Sequence, residues 1–235
     1  MKLLIIIPTY NEKETITQII TEIGRQVPHG HILVVDDNSP DGTASIVRDI
    51  QKQNVQVHLF SRKSKEGLGK AYIDAFRHVF KTYDPERIVM MDADMSHHPK
   101  YLCDMESLFE SGDVDVVVGS RYVSGGDTVG WEPWRKALSY YGNIYAGVVT
   151  GIPIADLTAG FYMIDTRVLK AVNLDDIDSS GYAFQMELKN LFHTYGARFS
   201  ELPIIFGNRV GGESKISNHI ISEGIVAPWK IRFKK

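Results

Sequence analysis

Leu3-Leu4-Ile5-Ile6-Ile7-Pro8-Thr9-Tyr10-Asn11-Glu12 opens with five consecutive aliphatic residues and then turns polar at once. A branched apolar run of this length, stopped by proline, reads as a strand buried on both faces. The next stretch changes period: within residues 13–27, Ile16, Ile19, Ile20, Ile23 and Val27 fall on one helical face. The alternation then repeats along the chain. His31–Val35 reads as a strand, Asp41–Gln51 as a short helix and Val55–Phe60 as a strand. Residues 68–82 read as a helix with Leu68, Ala71, Tyr72, Ala75, Phe76, Val79 and Phe80 inward, and Arg87–Met91 and Val114–Val118 as further strands. Short buried strands separated by helices specify an α/β class, a Rossmann-like, mostly parallel sheet flanked by helices. From about residue 125 the alternation fades, so the second half is expected to decorate the sheet. With no repeat or linker in view, residues 1–235 are expected to form a single domain.

Composition narrows the function classes. The chain has 235 residues, 43% of them hydrophobic, enough for a full core. A net charge of −3 gives no field for nucleic acid, and no nucleic-acid partner is expected. Cys103 is the sole cysteine, which excludes an intrachain disulfide and fits a reducing compartment. The opening apolar run is too short for a signal peptide. Ala137–Ala155 carries no formal charge, yet Gly142, Asn143, Gly147, Gly151 and Pro153 make it too polar for a membrane span. Near the C-terminus, Ile216, Ile220, Ile221 and Ile225 precede Trp229-Lys230-Ile231-Arg232-Phe233-Lys234-Lys235. Aromatics interleaved with basic residues suit an anionic membrane surface, or equally a docked terminal helix with a charged tail.

Parallel sheets bind ligands beyond the carboxyl ends of their strands. Four polar clusters fall at such ends: Pro8–Glu12, Asp36–Thr43, Asp92–His98 and Gly119–Tyr122. Asp36-Asp37-Asn38-Ser39-Pro40-Asp41-Gly42-Thr43 is turn chemistry that also offers a carboxylate to a base or ribose. Asp92-Ala93-Asp94 is either a solvated acidic loop or a pair of oxygen ligands for a hard cation that bridges to substrate phosphates. His97 and His98 are adjacent and lack a cysteine companion, so a loop or capping role is expected in preference to zinc. Gly67-Leu68-Gly69-Lys70 opens a helix, as a phosphate cradle or a plain loop-to-helix turn, without the spacing of a Walker sequence. Arg135, Ser139 and Asn143 share a helix face suited to an oxyanion or to solvent. Arg209-Val210-Gly211-Gly212-Glu213-Ser214-Lys215 is a surface loop or a basic lid over a pyrophosphate.

Taken in order, these motifs resemble the dolichyl-phosphate (polyprenyl monophosphate) mannose synthases of the inverting family 2 glycosyltransferases. The resemblance runs through Pro8–Glu12, Val34–Thr43, Gly67–Tyr72, Met91–Pro99, Gly119–Tyr122 with Gly125-Gly126, Asp156–Phe161 and Gly212–Lys215. It implies a GT-A fold and transfer of mannose from GDP-mannose to a polyprenyl phosphate. It implies donor contacts from Pro8, Tyr10, Glu12, Val35, Asp37, Lys70, Asp92, Ala93, Asp94, Arg209 and Lys215. It also implies a Mg²⁺ or Mn²⁺ ion at Asp94 and Ser96, and an acceptor phosphate on Arg121, Arg135 and Ser139. Asp94, Arg121 and Arg209 are the residues expected to act on the reacting groups. Residues 1–122 or so would form the nucleotide-sugar half, and the remainder the acceptor half with an amphipathic C-terminal segment. The implied location is peripheral, on the cytoplasmic face of a membrane, with a separate membrane-anchoring partner protein left open. Glucose or another sugar as donor, a glycan as acceptor, and a non-catalytic nucleotide-sugar-binding subunit are the alternatives.

Overall fold

A computed structural model describes residues 1–179, 181–207 and 218–234. In chain order the strands and helices are β1 (Leu3–Thr9), α1 (Ile16–Gln26), β2 (His31–Asp36), α2 (Thr43–Gln53), β3 (Val57–Ser61), α3 (Leu68–Thr82), β4 (Arg87–Met90) and α4 (Leu102–Ser111). They continue with β5 (Val116–Ser120), β6 (Asp127–Thr128), α5 (Pro133–Thr150), β7 (Tyr162–Asp165), α6 (Thr166–Ala171), α7 (Gly181–Thr194), β8 (Phe199–Pro203), β9 (Ile205–Phe206) and α8 (Asn218–Phe233).

The main sheet has seven strands in the order β3-β2-β1-β4-β7-β5-β8, and β6 pairs with β9 beside it. β1 runs parallel to β2 on one side and to β4 on the other, so the chain reverses its direction of build at β1. That reversal opens a crevice at the carboxyl ends of β1, β2 and β4, where the polar clusters lie.

Side chains along β1 alternate between the two faces, as a pleated strand requires. Leu4 and Ile6 join Tyr72, Phe76, Phe184, Leu188 and Phe192 of α3 and α7. Leu3, Ile5 and Ile7 join Ile16, Ile19 and Ile23 of α1 with Leu102 and Met105 of α4. The sheet is therefore sealed on both sides, which explains its near-continuous aliphatic strands.

The second half of the chain does more than decorate. It supplies β7, antiparallel between β4 and β5, and β8, parallel at the edge. Both were hidden for physical reasons. Tyr162–Asp165 is short and runs straight into α6, while Phe199–Pro203 is half-exposed and carries Ser200, Glu201 and a terminal Pro203, as an edge strand does. The second helix begins at Thr43 and not Asp41, because Gly42 takes a left-handed φ of 92° just before it.

Candidate active site

Each of the three strand-end turns at the crevice contains a non-glycine residue with positive φ: Asn11 at 61°, Asn38 at 59° and Met95 at 64°. Asparagine tolerates this region, but methionine pays a strain cost, and such strain collects at functional sites. Bonds within the third turn, and one from Gly207 after β9, hold Met95 in place. Ser96 donates from N (3.0 Å) and Oγ (2.5 Å) to Asp94 Oδ1, and Gly207 N donates to Ser96 O at 3.2 Å.

On the β2 side, Asp36 builds the turn and Asp37 is presented by it. The Asp36 carboxylate accepts from Thr9 Oγ1 (3.1 Å), Ser39 N (3.0 Å) and Ser39 Oγ (2.6 Å). Asp37 is buried against Arg62, whose Nη1 donates to Asp37 Oδ1 and whose Nε donates to Asp74 at 3.0 Å. Burial pushes the Asp37 carboxyl above its ordinary range, and Arg62 only partly offsets this. Sequence reasoning missed Arg62. The signal lay in the register: Asp36 faces Ser61 across β2 and β3, so the next residue on each strand, Asp37 and Arg62, come side by side.

Pro8 and Val35 are register partners at the floor of the crevice. Tyr10 is partly exposed, with Lys65 Nζ 3.9 Å from its ring centroid. Glu12 takes Thr15 Oγ1 on its carboxylate at 3.0 Å and donates its own N–H to Thr43 Oγ1 at 3.0 Å, which ties the β1 loop to α2. Lys70 is exposed on the first turn of α3. The fold thus brings Pro8, Tyr10, Glu12, Val35 and Asp37 to adjacent strand ends, with Asp92, Ala93 and Asp94 on the neighbouring strand end of β4. Arg209 and Lys215 lie outside the described residues.

The two histidines serve the loop. His97 Nδ1 accepts from Asp92 N at 3.1 Å while its ring stacks on Phe161, centroids 5.2 Å apart. His98 Nδ1 caps the 3₁₀ turn Pro99–Tyr101 by accepting from Lys100 N at 3.1 Å. That leaves an all-oxygen set, Asp92, Asp94 and the Ser96 hydroxyl, beside the crevice. Among the described residues no group of three His, Cys, Asp or Glu side chains is placed to hold a metal by itself. Such a set fits a hard ion of the Mg²⁺ type, which keeps waters and takes substrate phosphates as ligands, and does not fit zinc.

Arg121 follows β5 and is buried in a fork with Asp156. Its Nε and Nη2 donate to the two carboxylate oxygens at 2.7 Å each, and Nη2 also donates to Thr158 Oγ1 at 2.8 Å. Asp156 is 0% exposed; burial alone would raise its pKa, but the charge and hydrogen bonds of Arg121 outweigh it and hold the carboxyl below its ordinary range. Arg135, in the first turn of α5, stacks on the same indole that Arg121 faces: the guanidinium carbons lie 3.9 and 5.6 Å from the Trp131 ring centroid. Arg135 Nε is buried and has no hydrogen-bond partner among the described residues. Ser139, one turn further on, accepts from Tyr122 OH at 2.6 Å. Arg121, Arg135 and Ser139 are therefore gathered around Trp131 and Tyr122. A cavity of about 420 Å³ extends from Tyr122 along α5, lined by Tyr140, Ile144, Val148, Ile152 and Ile154 among others.

An acidic turn after β4 beside a cationic group from β5 and α5, with the Phe206 ring between them, suits transfer between two anionic substrates. The sequence matches the model described as Glycosyl transferase family 2 over residues 4–172. The chain belongs to this family. Two curated relatives of this family 2 glycosyltransferase are each 40% identical to it. Undecaprenyl-phosphate mannosyltransferase of Micrococcus luteus aligns over 96% of this chain and 92% of its own length. Polyprenol monophosphomannose synthase of Mycolicibacterium smegmatis aligns over 97% and 87%. Among solved structures, glucosyl-3-phosphoglycerate synthase of Mycobacterium tuberculosis, in complex with Mn²⁺, UDP and phosphoglyceric acid, superposes with a TM-score of 0.69. It covers 98% of this chain and 78% of that one at 17% identity, which is a likeness of fold. The α/β, Rossmann-like GT-A architecture expected from the sequence is the one observed. No helix among the described residues of this glycosyltransferase is long and apolar enough to cross a membrane.

Proposed function

We propose that this glycosyltransferase moves mannose from GDP-mannose to a polyprenyl phosphate, with inversion at the anomeric carbon. One observation carries the reading: Arg121 and Arg135 converge on Trp131, with a buried Arg135 N–H that has no hydrogen-bond partner among the described residues, and the Phe206 ring lies between them and the acidic β4 turn, 5.5 Å from the Arg121 guanidinium carbon and 5.3 Å from the His97 ring. An unpaired buried donor calls for an anion. The cavity that follows along α5 has an aliphatic wall of Ile144, Val148, Ile152 and Ile154 beside Asn143 and Glu201, and that wall suits a phosphate that carries a hydrocarbon chain. The names of the two relatives, at 40% identity over nearly their whole length, point to the same chemistry.

In this reading Pro8, Tyr10, Glu12, Val35 and Asp37 surround the guanosine, and Asp92 and Ala93 line the sugar-nucleotide. Lys70, Arg209 and Lys215 meet the diphosphate. Asp94 and Ser96 hold Mg²⁺ or Mn²⁺, which when bound neutralises charge on the departing diphosphate. Arg121, Arg135 and Ser139 grip the acceptor phosphate. That phosphate has a second pKa of about 6 and is already anionic at neutral pH, so no strong general base is required. Its oxygen attacks the anomeric carbon as the bond to the diphosphate breaks, and the arginines contribute by holding it in line. The apolar faces of α5 and α8 set the enzyme peripherally on a cytoplasmic membrane surface.

The test is a lipid-extraction assay with labelled GDP-mannose, Mg²⁺ and a polyprenyl phosphate. Label in the organic phase is expected. Label appearing there only from a different nucleotide-sugar would overturn the donor assignment, and label passing to a water-soluble acceptor alone would overturn the lipid.

A further inference from the structure

Lys189 on α7 is 0% exposed, an unusual place for an ammonium group. Its Nζ donates to Leu157 O at 3.1 Å and to Ala159 O at 2.6 Å, and sits 4.3 Å from the centroid of the Tyr162 ring. The two carbonyls flank Thr158. That residue's hydroxyl accepts from Arg121 Nη2 at 2.8 Å and from Asn143 Nδ2 at 3.2 Å, and its N–H donates to Asn143 Oδ1 at 3.2 Å. The residue just before them is Asp156, which forks Arg121. Both groups that orient Arg121 thus stand on a segment whose backbone is pinned from beneath by one side chain. Replacing a buried ion by an apolar residue of similar volume is often neutral or stabilising, so packing alone does not account for a lysine at this position.

We infer that Lys189 is a positioning residue for glycosyl transfer: it clamps the backbone on either side of Thr158 so that Asp156 and Thr158 aim Arg121 at the acceptor phosphate. The inference rests on the acceptor role proposed above for Arg121. Burial lowers the Lys189 amine to about 7, with Asp156 and Glu201 opposing that shift and Arg121 adding to it. The neutral amine keeps two N–H donors, so the clamp holds in either charge state.

Lys189→Met keeps an unbranched chain, one atom shorter, and removes the donors, whereas Lys189→Gln keeps two N–H donors on a chain also one atom shorter and without the charge. Steady-state kinetics are measured for both substrates, alongside thermal unfolding and direct titration of a short polyprenyl phosphate. The methionine variant is expected to raise the acceptor KM and weaken acceptor binding about ten-fold or more, with the GDP-mannose KM within about two-fold, and the glutamine variant to fall between it and wild type. Unchanged acceptor parameters overturn the inference. So does an equal rise in both KM values, or a loss of kcat that follows only the lost folded fraction, since these mark a merely structural lysine. If Lys189→Met does not fold, Lys189→Gln decides by the same split. Wild type without any lipid-linked product overturns the functional reading and this inference together; wild type active with donor and acceptor affected alike in the variants overturns this inference alone.

Discussion

Asp156 and Arg121 show how much of this site is held by single buried residues. The aspartate is 0% exposed and its partner nearly so, and the two meet through paired 2.7 Å hydrogen bonds. Replacing Asp156 by Asn leaves the guanidinium buried without its counter-charge, so a loss of about 3–5 kcal/mol is expected from urea unfolding at neutral pH. The sign of the pH dependence follows from the lowered carboxyl pKa. In acid the unfolded chain binds the proton first, so this contribution is complete above the unfolded value of about 3.9 and is lost as pH falls through the lower folded value. The gap between wild type and Asp156→Asn should therefore narrow on acidification below pH 4 or so, and unfolding curves across that range test it. Asp94 makes the second prediction at this scale. Asp94→Ala should cut metal-stimulated turnover by about 10²–10³-fold, the range seen on removing one electrostatic stabiliser, and retained metal stimulation would move the ion elsewhere. The placement of Asp92 and Asp94 just past a buried strand was legible because two carboxylates after an aliphatic run are conspicuous in one dimension. Arg62 and Lys189 were not. Arg62 meets Asp37 only through the register of β2 and β3. Lys189 follows Gln185 and Glu187 in α7, polar residues whose density suggests exposure to water, yet all three are buried.

At the scale of elements, the close approach of α3 to α7 joins the donor end to the rest of the core. Gly69, in the first turn of α3, leaves no room for a side chain: an added Cβ would stand 2.9 Å from the Phe184 ring and 3.0 Å from Ser179 O. Gly69→Ala must push α3 off α7, and a cost of about 1–3 kcal/mol is expected from overpacking. Lys70, next in sequence but exposed, is the control; Lys70→Ala should change stability by no more than about 0.5 kcal/mol while raising the GDP-mannose KM. Thermal unfolding of the two variants separates packing from charge, and an unshifted Gly69→Ala would mean the helices are free to slide. The glycine pair Gly67 and Gly69 was thus readable as a helix start, whereas its packing duty against Phe184 was not, because α7 lies more than a hundred residues further along the chain. The same distance explains the strands. β1 to β4 follow one another as aliphatic runs with local helices between them, so their pattern is complete in sequence. β7 enters the sheet between β4 and β5, where its neighbours and not its own composition make it a strand.

Seen as one body, the molecule turns an apolar side outward next to its cationic pocket. Trp134, Leu138, Tyr141 and Val148 of α5 are exposed, the last to 79%, and so are Ile225, Val226, Trp229 and Phe233 of α8. The two helices lie together: Trp229 Nε1 donates to Tyr145 OH at 2.6 Å, and that hydroxyl donates to Ile225 O at 2.9 Å. The sequence had pointed to the C-terminal segment alone, since its basic and aromatic residues interleave visibly; the partnership of α5 needed the fold. Lys230 and Arg232 stand in the last turn of α8, so attraction to anionic lipid adds to burial of the apolar side chains. Each such side chain withdrawn from water contributes about 1–3 kcal/mol, and the two helices together offer more than either alone. Flotation with anionic vesicles should therefore weaken about ten-fold or more when Trp134 and Val148 are both changed to Ser, and decline further in high salt. Removal of residues 229–235 should leave partial binding, carried by α5. If truncation abolished binding while the α5 pair of substitutions left it intact, the membrane contact would belong to the tail alone, and the acceptor phosphate would have to reach Arg121 and Arg135 without α5 resting on the surface that supplies it.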